Sequence, residues 1–271
     1  MSRLAITPLR YPGGKSKALD RILPHVPAHI GEFREPFVGG GSVFLAVKKL
    51  FQNRIGCYWI NDLNYDLYTF WHFLKCDTDQ LIDQICAFKE SYEDGRALYQ
   101  FLTDEGNMRS DFDRAVRFFL MNRITFSGVV DAGGYSQQAF EKRFTLSSIE
   151  RLRTAAYFLD KSVQITHGDY EAVLQAPGEN VFIFLDPPYW SATDSKLYGV
   201  RGALHTAFDH ERFAEAMRNC PHRWLITYDD SPKIRELFAF ADIIEWELQY
   251  GMNNFKQTSA AKGREIFIKN Y

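Results

Sequence analysis

The chain has 271 residues, 46% of them hydrophobic and 15% aromatic, which suits one large domain or a core domain with a smaller insertion. A formal net charge of −2 excludes a protein coated in positive charge, and no apolar run reaches the roughly 18 residues of a membrane-spanning helix. The amino terminus lacks a signal-peptide apolar stretch and the four cysteines form no Cys-x-x-Cys pair, so we expect a cytoplasmic protein with reduced thiols and no metal site.

The first motif, residues 9–17, places an aromatic residue, two glycines and a lysine before a helix predicted to start near Ser16. Its Gly-Lys-Ser ending is like that of a P-loop, but Leu9 stands where that motif needs glycine and no apolar strand precedes it. The glycines let backbone pass close to a ligand, Tyr11 can lie against that ligand, and Lys15 can pair with a carboxylate. The alternative is a Gly-Pro turn that only leads into the helix.

The second motif, residues 33–46, predicts a strand, a glycine turn and a helix that runs to about Leu50. Its three consecutive glycines let the loop cross close over a ligand beneath the amino end of the helix. A dinucleotide fingerprint would need a further glycine where this chain has Phe44. The glycine turn therefore predicts that a ligand binds here but does not identify the ligand.

The next strand, predicted over Cys57–Ile60, is followed by Asn61 and Asp62. An acid at the tip of the strand after a glycine turn can accept both hydroxyls of a ribose. The alternative is that Asp62 caps the helix predicted over Asn64–Lys75, and the two roles are compatible.

From Asp77 to Arg153 the pattern becomes mostly helical, with helices predicted over 79–89, 90–102 and 111–121. Two glycines at 133 and 134 between short β-prone pieces suggest a hairpin or a mobile loop. This region is our candidate for a nucleic-acid-reading element, and the alternative is a helical cap over the core with a solvent loop. Its side chains of the types that contact phosphates and base edges are Arg123, Ser127, Tyr135, Gln137, Gln138, Lys142 and Arg143.

The α/β pattern resumes with a strand from Val163 that ends in Gly168-Asp169-Tyr170. Asp169 could accept a hydrogen bond from the adenine amine of a cofactor, with Tyr170 against the adenine ring. The alternative is that Asp169 has no role beyond capping the helix that runs through Leu174.

The most informative stretch is the apolar run Val181–Leu185, a strand buried on both faces, followed by Asp186-Pro187-Pro188-Tyr189. Two prolines end the strand, so an acid and an aromatic ring are delivered to its carboxyl end, where open α/β sheets bind ligands. The Asp186 carboxylate and the Pro187 carbonyl can both accept from an exocyclic amine, and Tyr189 can stack on the ring that carries it. The alternative is a strand-ending turn with a capping aspartate and core aromatic rings.

The remaining pattern completes the sheet. Residues 191–208 are predicted as a flexible loop that orders over an extruded base, and a general-base role for His205 is not favoured. A helix over 209–220, a strand over 223–228 and a helix through Phe240 follow. Residues 243–250 and 265–268 are predicted as a closing antiparallel pair, joined by a polar loop over 251–263.

Four motifs in this order resemble those of the Dam-like DNA adenine N6-methyltransferases: Arg10–Lys15, Glu35–Phe44, Asn61–Asn64 and Asp186–Tyr189. The resemblance implies an α/β fold with a Rossmann-like class I methyltransferase sheet, mostly parallel with a closing antiparallel hairpin. It implies a catalytic domain formed by residues 1–76 and 160–271, and an inserted DNA-recognition domain over 77–159 that is mostly helical.

The resemblance further implies that S-adenosylmethionine is the cofactor and double-stranded DNA the substrate. Carried over by position, Tyr11, Lys15, Asp62 and Asp186 contact the cofactor, and Pro36, Phe37 and Gly39 wall its pocket. Asp186, Pro187 and Tyr189 would carry methyl transfer to the amine of a flipped-out adenine. Methylation of cytosine N4, methylation of RNA and a non-catalytic DNA-binding role remain alternatives, and a cognate restriction endonuclease remains open as a partner.

Overall fold

The structure is a computed structural model that describes residues 7–130, 133–192, 208–249 and 262–271. The loop predicted over 191–208, with His205, lies outside these residues except at its ends. The loop predicted over 251–263 likewise lies outside them except for its last two residues.

A seven-stranded sheet in the order β3-β2-β1-β4-β5-β7-β6 forms the centre of the described part of the chain. The pairs from β3 to β5 are parallel, and β7 is antiparallel to both β5 and β6. This arrangement confirms the predicted Rossmann-like methyltransferase sheet with its closing antiparallel hairpin. The strands are β1 Glu32–Glu35, β2 Cys57–Asp62, β3 Val163–His167, β4 Val181–Leu185, β5 Arg223–Asp229, β6 Asp242–Gln249 and β7 Lys262–Lys269.

Helices connect the parallel strands and cover both faces of the sheet. The helices of the described residues are α1 Leu19–Ile22, α2 Ser42–Phe51, α3 Tyr65–Cys76, α4 Thr78–Ser91, α5 Gly95–Thr103, α6 Asp111–Ile124, α7 Gln137–Arg143, α8 Leu146–Ala156, α9 Tyr170–Gln175, α10 His210–Arg218 and α11 Pro232–Leu237. None of these helices combines the length and the apolar character needed to cross a bilayer.

The central strand β4 is buried along its whole length, as its apolar run predicts. Phe182 and Phe184 join the core on one face of the sheet, whereas Ile183 and Leu185 join the core on the other. This alternation follows from the two-residue period of a strand. It places the carboxyl end of β4 between two packed layers, so the residues that follow are rigidly held.

The helical segment from α4 to α8 packs into the same apolar core as α2 and α3. Helix α6 lies against α3, where the ring of Phe70 is 5.9 Å from that of Phe118 and 6.2 Å from that of Phe119. The division into a catalytic domain and an inserted domain over 77–159 stays a prediction, because the two parts share one core.

Most predicted helices are present, with shifted ends. Helix α5 begins at Gly95 rather than at residue 90, because the Asp94 side chain caps it by accepting from the Arg96 N–H. The short helices α7 and α8 were not predicted; Ser136 and Thr145 cap them. In place of a hairpin, the described residues around the two glycines contain an isolated antiparallel bridge between Thr125 and Tyr135.

Candidate active site

A cavity of about 510 Å³ opens beside the carboxyl ends of β1 to β4. It is lined by every residue that the sequence predicted to bind the cofactor or to carry the reaction. These are Tyr11, Lys15, Pro36, Phe37, Gly39, Asp62, Asp169, Tyr170, Asp186, Pro187 and Tyr189. Residues up to 178 positions apart in the chain therefore meet in one place, because parallel strands end at the same edge of the sheet.

Asp186 follows β4 directly and is held by two side chains. The Lys15 ammonium group donates to Asp186 Oδ2 at 2.8 Å and lies 2.7 Å from Oδ1. The Thr227 hydroxyl donates to Oδ1 at 2.7 Å. Lys15 thus pairs with a carboxylate, as the sequence predicted, and that carboxylate belongs to Asp186.

Tyr189 is anchored at both its hydroxyl and its ring. Its hydroxyl donates to Glu265 Oε2 at 3.0 Å, and the Lys15 ammonium group lies 4.8 Å from the ring centroid. Glu265 is 1% exposed and lies on β7, the strand inserted between β5 and β6. The position of the aromatic ring beside Asp186 therefore depends on the closing hairpin.

Asp62 ends β2 and accepts backbone N–H groups through both oxygens, from Gly39 and from Asn64, each at 3.0 Å. Burial raises the pKa of Asp62 to about 6, although these two backbone donors oppose the shift. Asn64, not Asp62, caps helix α3 by accepting from the Leu67 N–H. The alternative that Asp62 caps this helix is therefore wrong. Asp62 instead holds the glycine loop, Gly39–Gly41, through the Gly39 N–H.

The glycine loop is shaped by the ring of Tyr11. Gly39 has a φ of +47°, and a Cβ atom built on it would lie 2.9 Å from the Tyr11 ring. Both the backbone conformation and the close approach require glycine here. The loop and Tyr11 consequently form one continuous wall of the cavity.

The opposite end of the cavity is aromatic. The rings of Phe37 and Tyr170 lie 5.4 Å apart, and the Arg212 guanidinium lies 5.4 Å from the Tyr170 ring. Asp169 accepts from the Glu171 N–H at the start of α9 and from Arg212 at 3.0 Å. Asp169 therefore caps the helix, as one reading predicted, and also lines the cavity.

Glu35, the last residue of β1, is a buried acid that lines the cavity. It is 3% exposed, and its Oε2 atom has no hydrogen-bond partner among the described residues. Burial, followed by the charge of Asp186, raises the pKa of Glu35 well above its usual value. An unsatisfied buried acceptor beside a cavity is a place where a ligand donor fits.

Several residues of the site were missed by the sequence reasoning. Thr227 and Glu265 hold Asp186 and Tyr189, and Arg212 and Phe208 line the cavity beside Tyr170. Glu35 belongs to the second motif, residues 33–46, and its position at the end of a predicted strand could have identified it as a site residue. No local pattern singles out the other four.

The residues predicted to contact DNA do not line the cavity. The prediction for Arg123 is contradicted by its position: it is 3% exposed and donates to the Pro8 carbonyl at 2.7 Å. Residue type suggested a phosphate contact, but the guanidinium holds the amino-terminal segment from inside. Ser127, Tyr135 and Arg143 are half-buried and Gln137 is exposed.

The strand order, the reversed β7 and the cavity at the strand ends define a methyltransferase of the Rossmann-like class. The family model for "D12 class N6 adenine-specific DNA methyltransferase" matches residues 11–252, and the chain belongs to this family. It is therefore an enzyme that methylates adenine in DNA. This confirms the resemblance drawn from the motifs and favours adenine in DNA over the cytosine and RNA alternatives.

Curated relatives agree with the family. The chain is similar to the Type II methyltransferase M1.LlaDCHI of Lactococcus lactis subsp. cremoris, with 25% identity over 97% of this chain and 94% of that protein. It is 24% identical to the Type II methyltransferase M.CviBI of Paramecium bursaria Chlorella virus NC1A, over 97% of this chain and 98% of that protein. It is 28% identical to the DNA adenine methylase of Escherichia coli K12, over 67% of this chain and 64% of that protein.

Proposed function

We propose that the enzyme transfers a methyl group from S-adenosylmethionine to N6 of an adenine extruded from duplex DNA, with Asp186 and Pro187 as the amine acceptors. The observation that carries this proposal is the shared cavity. The acceptors, the aromatic Tyr189 and the predicted cofactor residues all line it.

The cavity's size and charge suit this cofactor. Its volume of about 510 Å³ is within the range of small-molecule sites. Its acidic side chains, Glu35, Asp62, Asp169, Asp186 and Asp209, outnumber its basic ones, Lys15 and Arg212. A ligand that carries a sulfonium and an ammonium group complements this excess of carboxylates. Asp62 would accept from the ribose hydroxyls, and the free Oε2 of Glu35 would accept from a ligand donor.

The residues after β4 would activate the target amine. When bound, S-adenosylmethionine would supply a methyl group on a positively charged sulfur that leaves as a neutral thioether. Asp186 and the Pro187 carbonyl would each accept a hydrogen bond from one amine N–H, which draws the nitrogen towards tetrahedral geometry and frees its lone pair. The amine gains one N–C bond and releases one proton, for which the Asp186 carboxylate is a suitable acceptor. Tyr189 would stack on the extruded base, whose removal from the duplex costs about a few kcal/mol.

We further propose that DNA phosphates bind the arginine cluster, which we define as Arg10, Arg143 and Arg151 around the buried Arg123, and that Arg123 adds charge without touching the DNA. Burial, and then the charges of Arg151, Arg10 and Arg143, lower the pKa of Arg123. Arg123 Nε and Arg143 Nη1 are buried without hydrogen-bond partners among the described residues. Guanidinium groups stay protonated at neutral pH, so the cluster carries uncompensated positive charge that a polyanion would neutralise.

The surface next to the cluster has the composition of a base-reading surface. Phe126 is 63% exposed and precedes Ser127, whose φ of +53° fixes a tight turn. Exposed apolar rings of this kind insert between base steps in other DNA-binding proteins. We retain Ser127, Tyr135 and Gln137 as proposed contacts with DNA. The Type II names of two relatives support a cytoplasmic restriction-modification role with a cognate endonuclease.

The test is the substitution Asp186→Asn, which keeps the shape of the side chain and removes the carboxylate. The variant should fold normally and lose N6-methyladenine formation, measured by mass spectrometry of DNA incubated with protein and cofactor. Asp79→Asn, at a surface aspartate whose side chain is 81% exposed, serves as the matched control and should keep full activity. A folded Asp186→Asn protein with normal turnover would refute the assignment.

A further inference from the structure

Thr227 is a buried polar residue in an otherwise apolar stretch of β5. It is 0% exposed and lies between Ile226 and Tyr228, which are equally buried. A hydroxyl in such a place is costly unless it is hydrogen-bonded. Its proton has one good acceptor, Asp186 Oδ1 at 2.7 Å, since the Leu185 carbonyl is 3.5 Å away. This short contact is typical of a charge-assisted hydrogen bond.

The backbone on both sides makes this contact rigid. Ile226 pairs with Leu185 of β4, so Thr227 lies beside Asp186 at the end of the parallel ladder. Thr227 itself pairs with Phe267 of β7 in the antiparallel ladder. A strand held on both edges cannot carry the hydroxyl away from Asp186 without breaking the sheet.

The other partner of Asp186, Lys15, contacts both of its oxygens. Lys15 is a long side chain on a short turn, Lys15–Lys17, and its ammonium group also donates to the Gly13 carbonyl. It bonds both oxygens of Asp186 and therefore does not select between them. The hydroxyl of Thr227 contacts Oδ1 alone, so it breaks the symmetry of the carboxylate.

We propose that Thr227 is a positioning residue for methyl transfer. Its hydrogen bond occupies one lone pair of Oδ1 and fixes the rotation of the carboxylate about its Cβ–Cγ bond. The other oxygen, Oδ2, is then held in the orientation from which it accepts the amine proton of the target base. This inference rests on the proposed role of Asp186 as an amine acceptor, and Thr227 itself touches neither base nor cofactor.

The experiment compares Thr227→Val, which replaces the hydroxyl by a methyl group of similar size, with Thr227→Ser, which keeps the hydroxyl. Single-turnover methylation is measured at saturating DNA and S-adenosylmethionine, together with the KM for each. Thr227→Val should lower the rate by about ten- to a hundredfold, the effect expected for one hydrogen bond to a charged group. Its KM for the cofactor should not change, and Thr227→Ser should restore the rate.

A purely structural role would change stability without this pattern. If Thr227→Val does not fold, Thr227→Ala and Thr227→Ser form a second pair that differs only in the hydroxyl. A folded Thr227→Val or Thr227→Ala enzyme with the wild-type rate overturns the inference, as does a Thr227→Ser enzyme that is equally slow.

Measuring Asp186→Asn beside the Thr227 variants distinguishes failure of this inference from failure of the proposed function. An active Asp186→Asn enzyme would remove the acceptor role and with it the role of Thr227. An inactive Asp186→Asn enzyme with a normal Thr227→Val enzyme would overturn only the positioning role.

Discussion

Asp62 is the residue whose protonation is expected to control cofactor binding. Its pKa is raised to about 6 by burial, so its charge changes close to neutral pH. Above that pH the side chain is a carboxylate that only accepts hydrogen bonds, as two ribose hydroxyls require. Below that pH, one oxygen of Asp62 carries a proton and donates a hydrogen bond itself, so the side chain accepts less well from the ribose hydroxyls.

The affinity for S-adenosylmethionine should therefore fall as the pH is lowered through about 6, measured by isothermal titration calorimetry. In Asp62→Asn, which is neutral at every pH, binding should be weaker and this part of the pH dependence should disappear. Glu35 also titrates above its usual range, so a residual dependence in Asp62→Asn is assigned to it. An unchanged pH profile in Asp62→Asn would contradict the role of Asp62.

Lys15 can be compared with a second buried lysine. The side chain of Lys15 is 6% exposed and pairs with Asp186, whereas that of Lys48 is 7% exposed and pairs with Asp160 outside the cavity. Replacing either by Met removes an ion pair and leaves a carboxylate without its lysine, so each should lower the free energy of unfolding by roughly 1–3 kcal/mol. Only Lys15→Met should also lose cofactor binding. Equal loss of binding in both variants would show that stability alone explains it.

At the scale of elements, Asn122 on α6 joins the helical segment to the cavity wall. Its side chain accepts from the Arg10 N–H at 2.9 Å and donates to the Arg10 carbonyl at 2.7 Å. It also donates to the Gly128 carbonyl at 2.9 Å. Because Tyr11 directly follows Arg10, the orientation of the cavity wall depends on α6 and on the turn after it.

Asn122→Asp should weaken cofactor binding without touching the cavity. The substitution keeps the oxygen that accepts from the Arg10 N–H and from the Arg123 guanidinium, but it places a second oxygen against two carbonyls, which costs about 1–3 kcal/mol. The KM for S-adenosylmethionine should rise, measured in steady-state methylation at saturating DNA. Asn180→Asp, at an exposed position before β4, is the control and should keep the wild-type KM. A normal KM in a destabilised Asn122→Asp enzyme would limit Asn122 to a structural role.

At the scale of the whole molecule, charge is distributed unevenly. The net charge is −2, yet the arginine cluster gathers positive charge at one place. In Arg151→Gln, whose side chain is exposed, the slope of log affinity against log salt should fall by about 0.9, the value for one phosphate contact. Arg218→Gln, outside the cluster, should leave the slope unchanged. Equal slopes for both variants and wild type would exclude the cluster as a phosphate site.

The mostly parallel sheet and the position of the cavity could be predicted from the sequence because each depends on short contiguous signals. The run Val181–Leu185 followed by two prolines determines where Asp186 lies, and the glycine turn determines where the wall lies. The role of Thr227 could not be predicted, since it depends on the strand register that places Thr227 beside Asp186, 41 positions earlier in the chain. Arg123 was misassigned because residue type says nothing about which face of α6 is buried.

The insertion of β7 between β5 and β6 has a consequence for synthesis on the ribosome. Glu265, which holds the Tyr189 ring, and Phe267, which pairs with Thr227, belong to this last strand. A nascent chain that has not yet released β7 lacks both the carboxylate that holds Tyr189 and the strand that pairs with Thr227. Catalytic competence is therefore acquired only after β7 has been released, and a chain arrested before Lys262 should be inert towards DNA.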